Sequence, residues 1–117
     1  MESYRDLDVY QRSLKCIVEV QGMLAKFPEY EMRELASQMR RSSKSIPLNI
    51  AEGHGRKRSG KDFKYFISNA MGSANEMSAS IEIAKLLEYV SDDECDRLMS
   101  EYEIIGKQLN RLIQSWS

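Results

Sequence analysis

From Cys95 onward, apolar residues recur at alternating intervals of three and four: Cys95, Leu98, Tyr102, Ile105, Leu109, Leu112 and Trp116. That rhythm is one face of an α-helix, and a strand would need a period of two. Ser91 and Glu94 stand ahead of it at capping-box spacing, marking where the helix begins. The pattern runs for about 25 residues, roughly 37 Å of helix, without a proline. A helix with a single apolar stripe must bury it against something of matching length. It is too short for an extended coiled coil, so the rest of the chain has to supply the partners.

Three earlier stretches can do so. Ser3 and Asp6 have capping-box spacing, and Leu7, Tyr10, Leu14, Ile17 and Leu24 follow on a helical rhythm, flanked by Val18 and Phe27. Pro28 closes that helix, because the residue before a proline is pushed out of the α region. A second helix is expected to open near Glu31, with Glu31 and Glu34 at its positive N-terminus and Leu35, Met39, Ile46 and Ile50 on its buried face. Heptad spacing places Ser42 and Asn49 on the same seam, where a polar residue costs stability but sets register. Pro47 is expected to bend this helix, with Ser43 and Ser45 bonding freed backbone groups, and Gly53 to end it as a left-handed stop. Ser59 with Asp62 caps a third helix whose face is Phe63, Phe66, Ala70, Met77, Ile81 and Ala84. Its small middle, from Ala70 to Ser80, lets a neighbour approach closely.

Four helices joined by short turns read as all-α, an antiparallel up-down-up-down left-handed four-helix bundle, with residues 1–117 forming one domain. Ile83, Leu86 and Val90 lie opposite the main face of the third helix, and Leu48 lies off the seam of the second. These four are the expected contacts of a homo-oligomer.

The chain has no apolar run approaching the roughly 20 residues of a membrane span, and its mean hydropathy is −0.52. Its first residues, Met1 to Asp6, are polar, unlike a signal peptide. Cys16 and Cys95 stand far apart with no CxxC spacing, which suits a reduced, cytoplasmic setting without membrane attachment. Net charge is −1, but the distribution is uneven: residues 40–64 carry eight cations and two acids. A positive band on an acidic body hints at an anionic partner.

The usual bundle chemistries are missing. A di-iron site needs Glu-x-x-His motifs, and the single histidine, His54, lies beside glycines in a turn. The Gly53-x-Gly55 pair with Gly60 follows a helix instead of a strand, so it is no dinucleotide loop. No serine or cysteine has a histidine base on a buried face. No enzyme, metal or cofactor is expected. Glu52 is positioned to pair with Arg56 at i+4.

The stretch Ser45-Ile46-Pro47-Leu48-Asn49-Ile50-Ala51-Glu52-Gly53 resembles the S-I-x-x-N-I-A-E-G signature of the bacterial four helix bundle proteins, also called 23S rRNA intervening-sequence proteins. Tyr4-Arg5-Asp6-Leu7 with Tyr10-Gln11 resembles the family's opening. Phe27-Pro28 with Glu31, Leu35 and Gln38-Met39-Arg40-Arg41 resembles its first turn and second helix, and Ala70-Met71-Gly72-Ser73-Ala74-Asn75-Glu76 its A-x-G-S-x-x-E segment. The resemblance implies a left-handed four-helix bundle and, in some members, a ring-shaped homopentamer. Some members are encoded within insertions in large-subunit rRNA genes. Similar proteins accompany the reverse transcriptases of diversity-generating retroelements, where a basic ring surface is thought to bind nucleic acid and the transcriptase.

The expectation is therefore an oligomeric accessory protein binding RNA or DNA weakly through phosphates. Arg40, Arg41 and Lys44 along the second helix, with Arg56, Lys57, Arg58 and Lys61 at its end, are the expected contacts. Tyr65 is the nearest aromatic, which speaks against base stacking on the basic turn. The signature residues Ser45, Ile46, Asn49, Ile50, Ala51, Glu52 and Gly53 are assigned to fold and register. The alternative is a scaffold docking a protein, with no nucleic acid.

Overall fold

The computed structural model describes residues 3–115. Trp116, the last member of the apolar series, lies outside them, as do Met1 and Glu2. Four helices carry the chain: α1 (Asp8–Leu24), α2 (Leu35–Gly55), α3 (Gly60–Leu86) and α4 (Asp92–Gln114). No strand occurs among the described residues. Each helix packs on two neighbours, α1 on α2 and α4, and α3 on α2 and α4, while the diagonal pairs stay apart. Side-chain pairs between neighbours run in opposite numerical order. Arg12 meets Glu101, Arg97 meets Glu19 and Lys26 meets Glu94, so α1 and α4 are antiparallel. The result is an all-α four-helix bundle.

The caps on α3 and α4 are as the spacing requires. Ser59 Oγ accepts the Asp62 N–H at 3.2 Å, and Ser91 Oγ accepts the Glu94 N–H at 3.3 Å. The start of the chain differs. Ser3 caps a single 3-10 turn, Tyr4–Asp6, and α1 begins only at Asp8. The second helix also starts late. Glu29–Glu31 form another 3-10 turn and α2 opens at Leu35, leaving Glu31 to accept the Tyr89 hydroxyl at 2.6 Å.

α4 buries Cys95, Leu98, Tyr102, Ile105 and Leu109, the stripe its spacing describes. α1 is turned by about one residue from expectation. Its buried face is Val9, Ser13, Cys16, Val20, Met23 and Leu24, so of the expected series Leu24 is in the core, while Tyr10, Leu14 and Ile17 are half-buried on the flank away from α4 and Val18 is exposed. With this rotation Arg12 and Glu19 lie on the flank that meets Glu101 and Arg97 of α4. Ser13 survives in the core because its hydroxyl donates to the Tyr10 carbonyl at 2.7 Å, so it brings its own partner. In α3, Ile67 and Ala74 join the core and Phe66 leaves it for the edge.

Gly53 is not a left-handed stop. No described glycine has positive φ, and α2 continues through it to Gly55. Gly53 is buried against α3, where an added Cβ would lie 3.2 Å from Phe66 Cβ and 3.3 Å from Ile67 Cδ1. Its missing side chain is what lets the two helices close. Pro47 sits buried inside α2 without ending it, and Ser43 Oγ bonds the Arg40 carbonyl nearby. Val90, expected on an outer face, is 6% exposed and belongs to the core, because the chain turns inward after α3 before α4 begins. Leu48 (68% exposed), Ile83 (44%) and Leu86 (80%) are on the outside. No helix among the described residues is long and apolar enough to cross a membrane.

Candidate nucleic-acid interface

The seam between α2 and α3 determines where the charged residues lie. Gly53 draws the helices together at one end. Further along, Ser42 bonds the Glu76 carboxylate and Ser73 Oγ donates to Ser45 Oγ at 2.9 Å. These polar ties lie outside the apolar core and leave a crease along the surface. A hollow of about 680 Å³ opens between Arg41, Lys44 and Leu48 on one lip and Phe66 on the other. A second, of about 240 Å³, continues it toward Gln38 and Glu76, sharing Arg41 and Ser45.

Asn49 faces this crease, not the core seam. It is half-buried, and its amide donates to the Ser45 carbonyl and hydroxyl, each at 2.9 Å. A one-position rotation separates it from the buried stripe Ile46, Ile50 and Gly53. The signature stretch thus has two faces. Ile46, Ile50 and Gly53 build the core, while Ser45, Asn49 and Glu52 line the crease beside the cations. Ala51 is half-buried between them.

At the lower end Glu52 holds Arg56 at 2.8 Å, an i,i+4 pair. That bond raises the Arg56 pKa above its ordinary value. The guanidinium also lies over the Phe66 ring, 5.3 Å from its centre, and Tyr65 packs edge-on against Phe66 at 5.1 Å. Aromatic side chains that are distant from Arg41 and Lys44 in sequence are therefore placed beside the crease, which the sequence reading did not foresee.

The turn that follows presents Lys57 and Arg58, with Lys61 on the first turn of α3, all exposed. Among the described residues, Lys44, Lys57, Arg58 and Lys61 have no ion pair. On the rest of the described surface Arg12, Lys26, Lys85 and Arg97 pair with carboxylates while Arg5, Lys15, Arg33, Lys107 and Arg111 do not, so what sets this region apart is the clustering of its unpaired cations. Arg41 bonds only the Ser37 hydroxyl, at 2.9 Å. Within the expected set Arg56 is held by Glu52, and Arg40 is turned away. Its guanidinium turns back onto Met32, 3.4 Å from Sδ and 3.5 Å from the carbonyl oxygen, away from Arg41 and Lys44.

The remaining reactive groups are quiet. Burial pushes the Cys16 thiol up to about 12, and burial likewise raises Cys95. Burial and the neighbouring Lys57 lower the His54 pKa, and its ring rests against Tyr4 at 6.2 Å. No group of three or more potential metal-ligating side chains is assembled among the described residues.

Fold and surface together define a small four-helix-bundle protein with an unpaired cationic crease and turn. The chain belongs to the 23S rRNA-intervening sequence protein family, whose model matches residues 5–111. It is similar to the crystal structure of a protein with unknown function from the S23 ribosomal protein family of Bacteroides thetaiotaomicron. The TM-score is 0.77 at 24% identity, over 91% of this chain and 95% of that one, and the likeness is one of fold. No curated protein matches the sequence.

Proposed function

We propose that this protein is a non-enzymatic, self-associating accessory protein that holds nucleic acid, RNA foremost, through phosphate contacts. The observation that carries this reading is the uncommitted charge. Lys44, Lys57, Arg58 and Lys61 have no carboxylate partner among the described residues, in a chain whose net charge is −1. Unpaired cations gathered in one region, with only two acids over residues 40–64, favour an external anion. The rRNA association in the family's name is consistent with RNA. Arg41, Lys44 and the turn of Arg56, Lys57, Arg58 and Lys61 are the contacts; Arg40 contributes to the field from further back.

Self-association is proposed through the exposed Ile83 and Leu86, with five copies the number the family resemblance implies; Leu48, the other exposed member of that expected set, stands on the crease and is set apart from this surface. Repeating one weak basic patch around an assembly multiplies its effect on a single polymer. The test is fluorescence anisotropy with an RNA 20-mer, from low to physiological salt, on wild type and on Arg56, Lys57 and Arg58 all changed to Glu. Wild type is expected to bind with a steep salt dependence, and the variant to lose both affinity and slope. Equal affinity and slope in the two would refute the reading, as would no wild-type binding at low salt.

One feature favours a second reading. Ile83, Leu86 and Leu87 are exposed together near Glu82 and Glu88, a rim suited to docking a protein, for which a reverse transcriptase is the partner the resemblance implies. A partner retained in a pull-down after nuclease treatment, with no binding of purified RNA, would establish that reading instead.

A further inference from the structure

We infer that the α2–α3 crease accepts an unpaired nucleic-acid strand, so that the protein prefers single-stranded to duplex nucleic acid. This rests on the nucleic-acid reading and specifies its ligand.

The crease couples charge to apolar surface within one hollow. Arg41 and Lys44 stand on its lip, and Leu48, next along the same lip, is 68% exposed. Phe66 forms the opposite wall with Arg56 stacked over it, and Tyr65 beside it is 61% exposed. A duplex offers an outside surface its phosphates, its sugars and the edges of its bases, but not the base faces, which are stacked within. Against a duplex, the exposed Leu48 and Tyr65 would meet no base face. An unpaired strand brings a phosphate and a free base face together, which is the pairing the crease presents.

Size and polarity agree. An open hollow of about 680 Å³ leaves room for a nucleotide-sized group to lie against it. From Gln38 to Arg56 the crease follows α2 for roughly 27 Å, enough for a short extended strand. Asn49 spends its amide hydrogens on Ser45, so its carbonyl oxygen remains an acceptor for a base edge. Glu52 and Glu76 also line the crease, and two carboxylates would repel a second row of phosphates. Within the hollow they steer the phosphates to the Arg41 and Lys44 lip, from which the backbone runs on toward the basic turn.

The test compares a fluorescein-labelled uridine octamer, the deoxythymidine octamer and a hairpin duplex at low salt. Proteins are wild type, Leu48→Ala with Tyr65→Ala, and Glu52→Gln. Both alanine sites are exposed, so circular dichroism should show native helix content. Wild type is expected to bind the two octamers more tightly than the hairpin. The double variant should lose about tenfold for the octamers and little for the hairpin, the loss typical of removing base stacking. Glu52→Gln frees Arg56 and should tighten octamer binding. A difference between the RNA and DNA octamers identifies which strand is held. If wild type binds neither octamer nor hairpin, the nucleic-acid reading falls and this one with it. If wild type binds but the double variant loses equally for octamers and hairpin, or loses nothing, only the single-strand inference is overturned. It is also overturned if the double variant changes the mass by light scattering without changing octamer affinity, since the crease is then an interface between copies.

Discussion

Replacing Gly53 by alanine separates two accounts of the same residue. If glycine ended the helix in a left-handed conformation, alanine would cost energy through backbone strain, and asparagine would be the best substitute. In the structure the residue is helical and buried, so backbone strain does not arise. Alanine then gains about 1 kcal/mol of helix propensity. Against that, its Cβ would lie 3.2 Å from Phe66 Cβ, 3.3 Å from Ile67 Cδ1 and 3.5 Å from the Phe63 carbonyl oxygen. Phe66 Cβ is one bond from the backbone and cannot rotate away. Ile67 Cδ1 is the end of a side chain, but that side chain is wholly buried and has no free space to enter. Relief requires α2 and α3 to separate by a few tenths of an ångström, and overpacking of this kind costs about 1–3 kcal/mol. The net effect is a loss of roughly 0–2 kcal/mol. Gly106, inside α4, has nothing within 4 Å of an added Cβ, so Gly106→Ala should stabilise by up to about 1 kcal/mol. The gap between the two variants, about 1–3 kcal/mol, reports the contact alone because the propensity gain cancels. Urea unfolding followed by circular dichroism measures both midpoints. Gly53→Asn should be worse than Gly53→Ala, since it adds more volume at the same contact. Gly53→Ala as stable as Gly106→Ala, or Gly53→Asn better than Gly53→Ala, would refute the packing argument.

Glu88 follows α3 with φ 60, a left-handed residue, and the Tyr89 N–H reaches back to the Ala84 carbonyl at 3.0 Å. Glu88→Gly should therefore stabilise by about 1 kcal/mol, read as a higher urea midpoint. Cys16 and Cys95, buried with raised pKa values, should resist a disulfide reagent at pH 8 in the native protein and react fully in guanidinium. His54 has a folded pKa below its ordinary value, so the unfolded chain takes up this proton first. Its contribution is complete above the ordinary histidine pKa and is lost as pH falls through the folded one. Wild type should lose more stability than His54→Gln between about pH 7.5 and 5.5, checked by urea midpoints at each pH.

The helices differ in how openly they declare themselves. α4 presents one unbroken stripe, and the structure buries it as spaced from Cys95 to Leu109. The caps at Ser59 and Ser91 are equally local, and both are made. α1 is harder to orient because its apolar residues span a wide arc, and either half satisfies a helical period. The choice falls to how α1 packs between α2 and α4, which no spacing within α1 reports; the pairs of Arg12, Glu19 and Lys26 with Glu101, Arg97 and Glu94 accompany that packing. Ser13 deepens the ambiguity, since a serine on the core face looks like surface until its bond to the Tyr10 carbonyl is seen.

The crease was hidden for the same physical reason, and it shows why signature and site are not separable here. Ser45, Asn49 and Glu52 recur at intervals of four and three, and so do Ile46, Ile50 and Gly53. The two stripes are parallel and offset by one residue, about 100° of helix. Read locally, either a buried asparagine seam or a polar surface is consistent with that pattern. What decides is α3: Gly53 closes on Phe66 and Ile67, which turns the apolar stripe inward, and Ser73 and Glu76 then meet Ser45 and Ser42 along its edge. The contact that fixes the core face of the signature also fixes which of its polar groups stand beside Arg41 and Lys44. A stretch first assigned to fold and register alone therefore builds the wall of the proposed binding crease as well, and a substitution at Asn49 or Ser45 should alter ligand contact without removing any group from the buried apolar stripe.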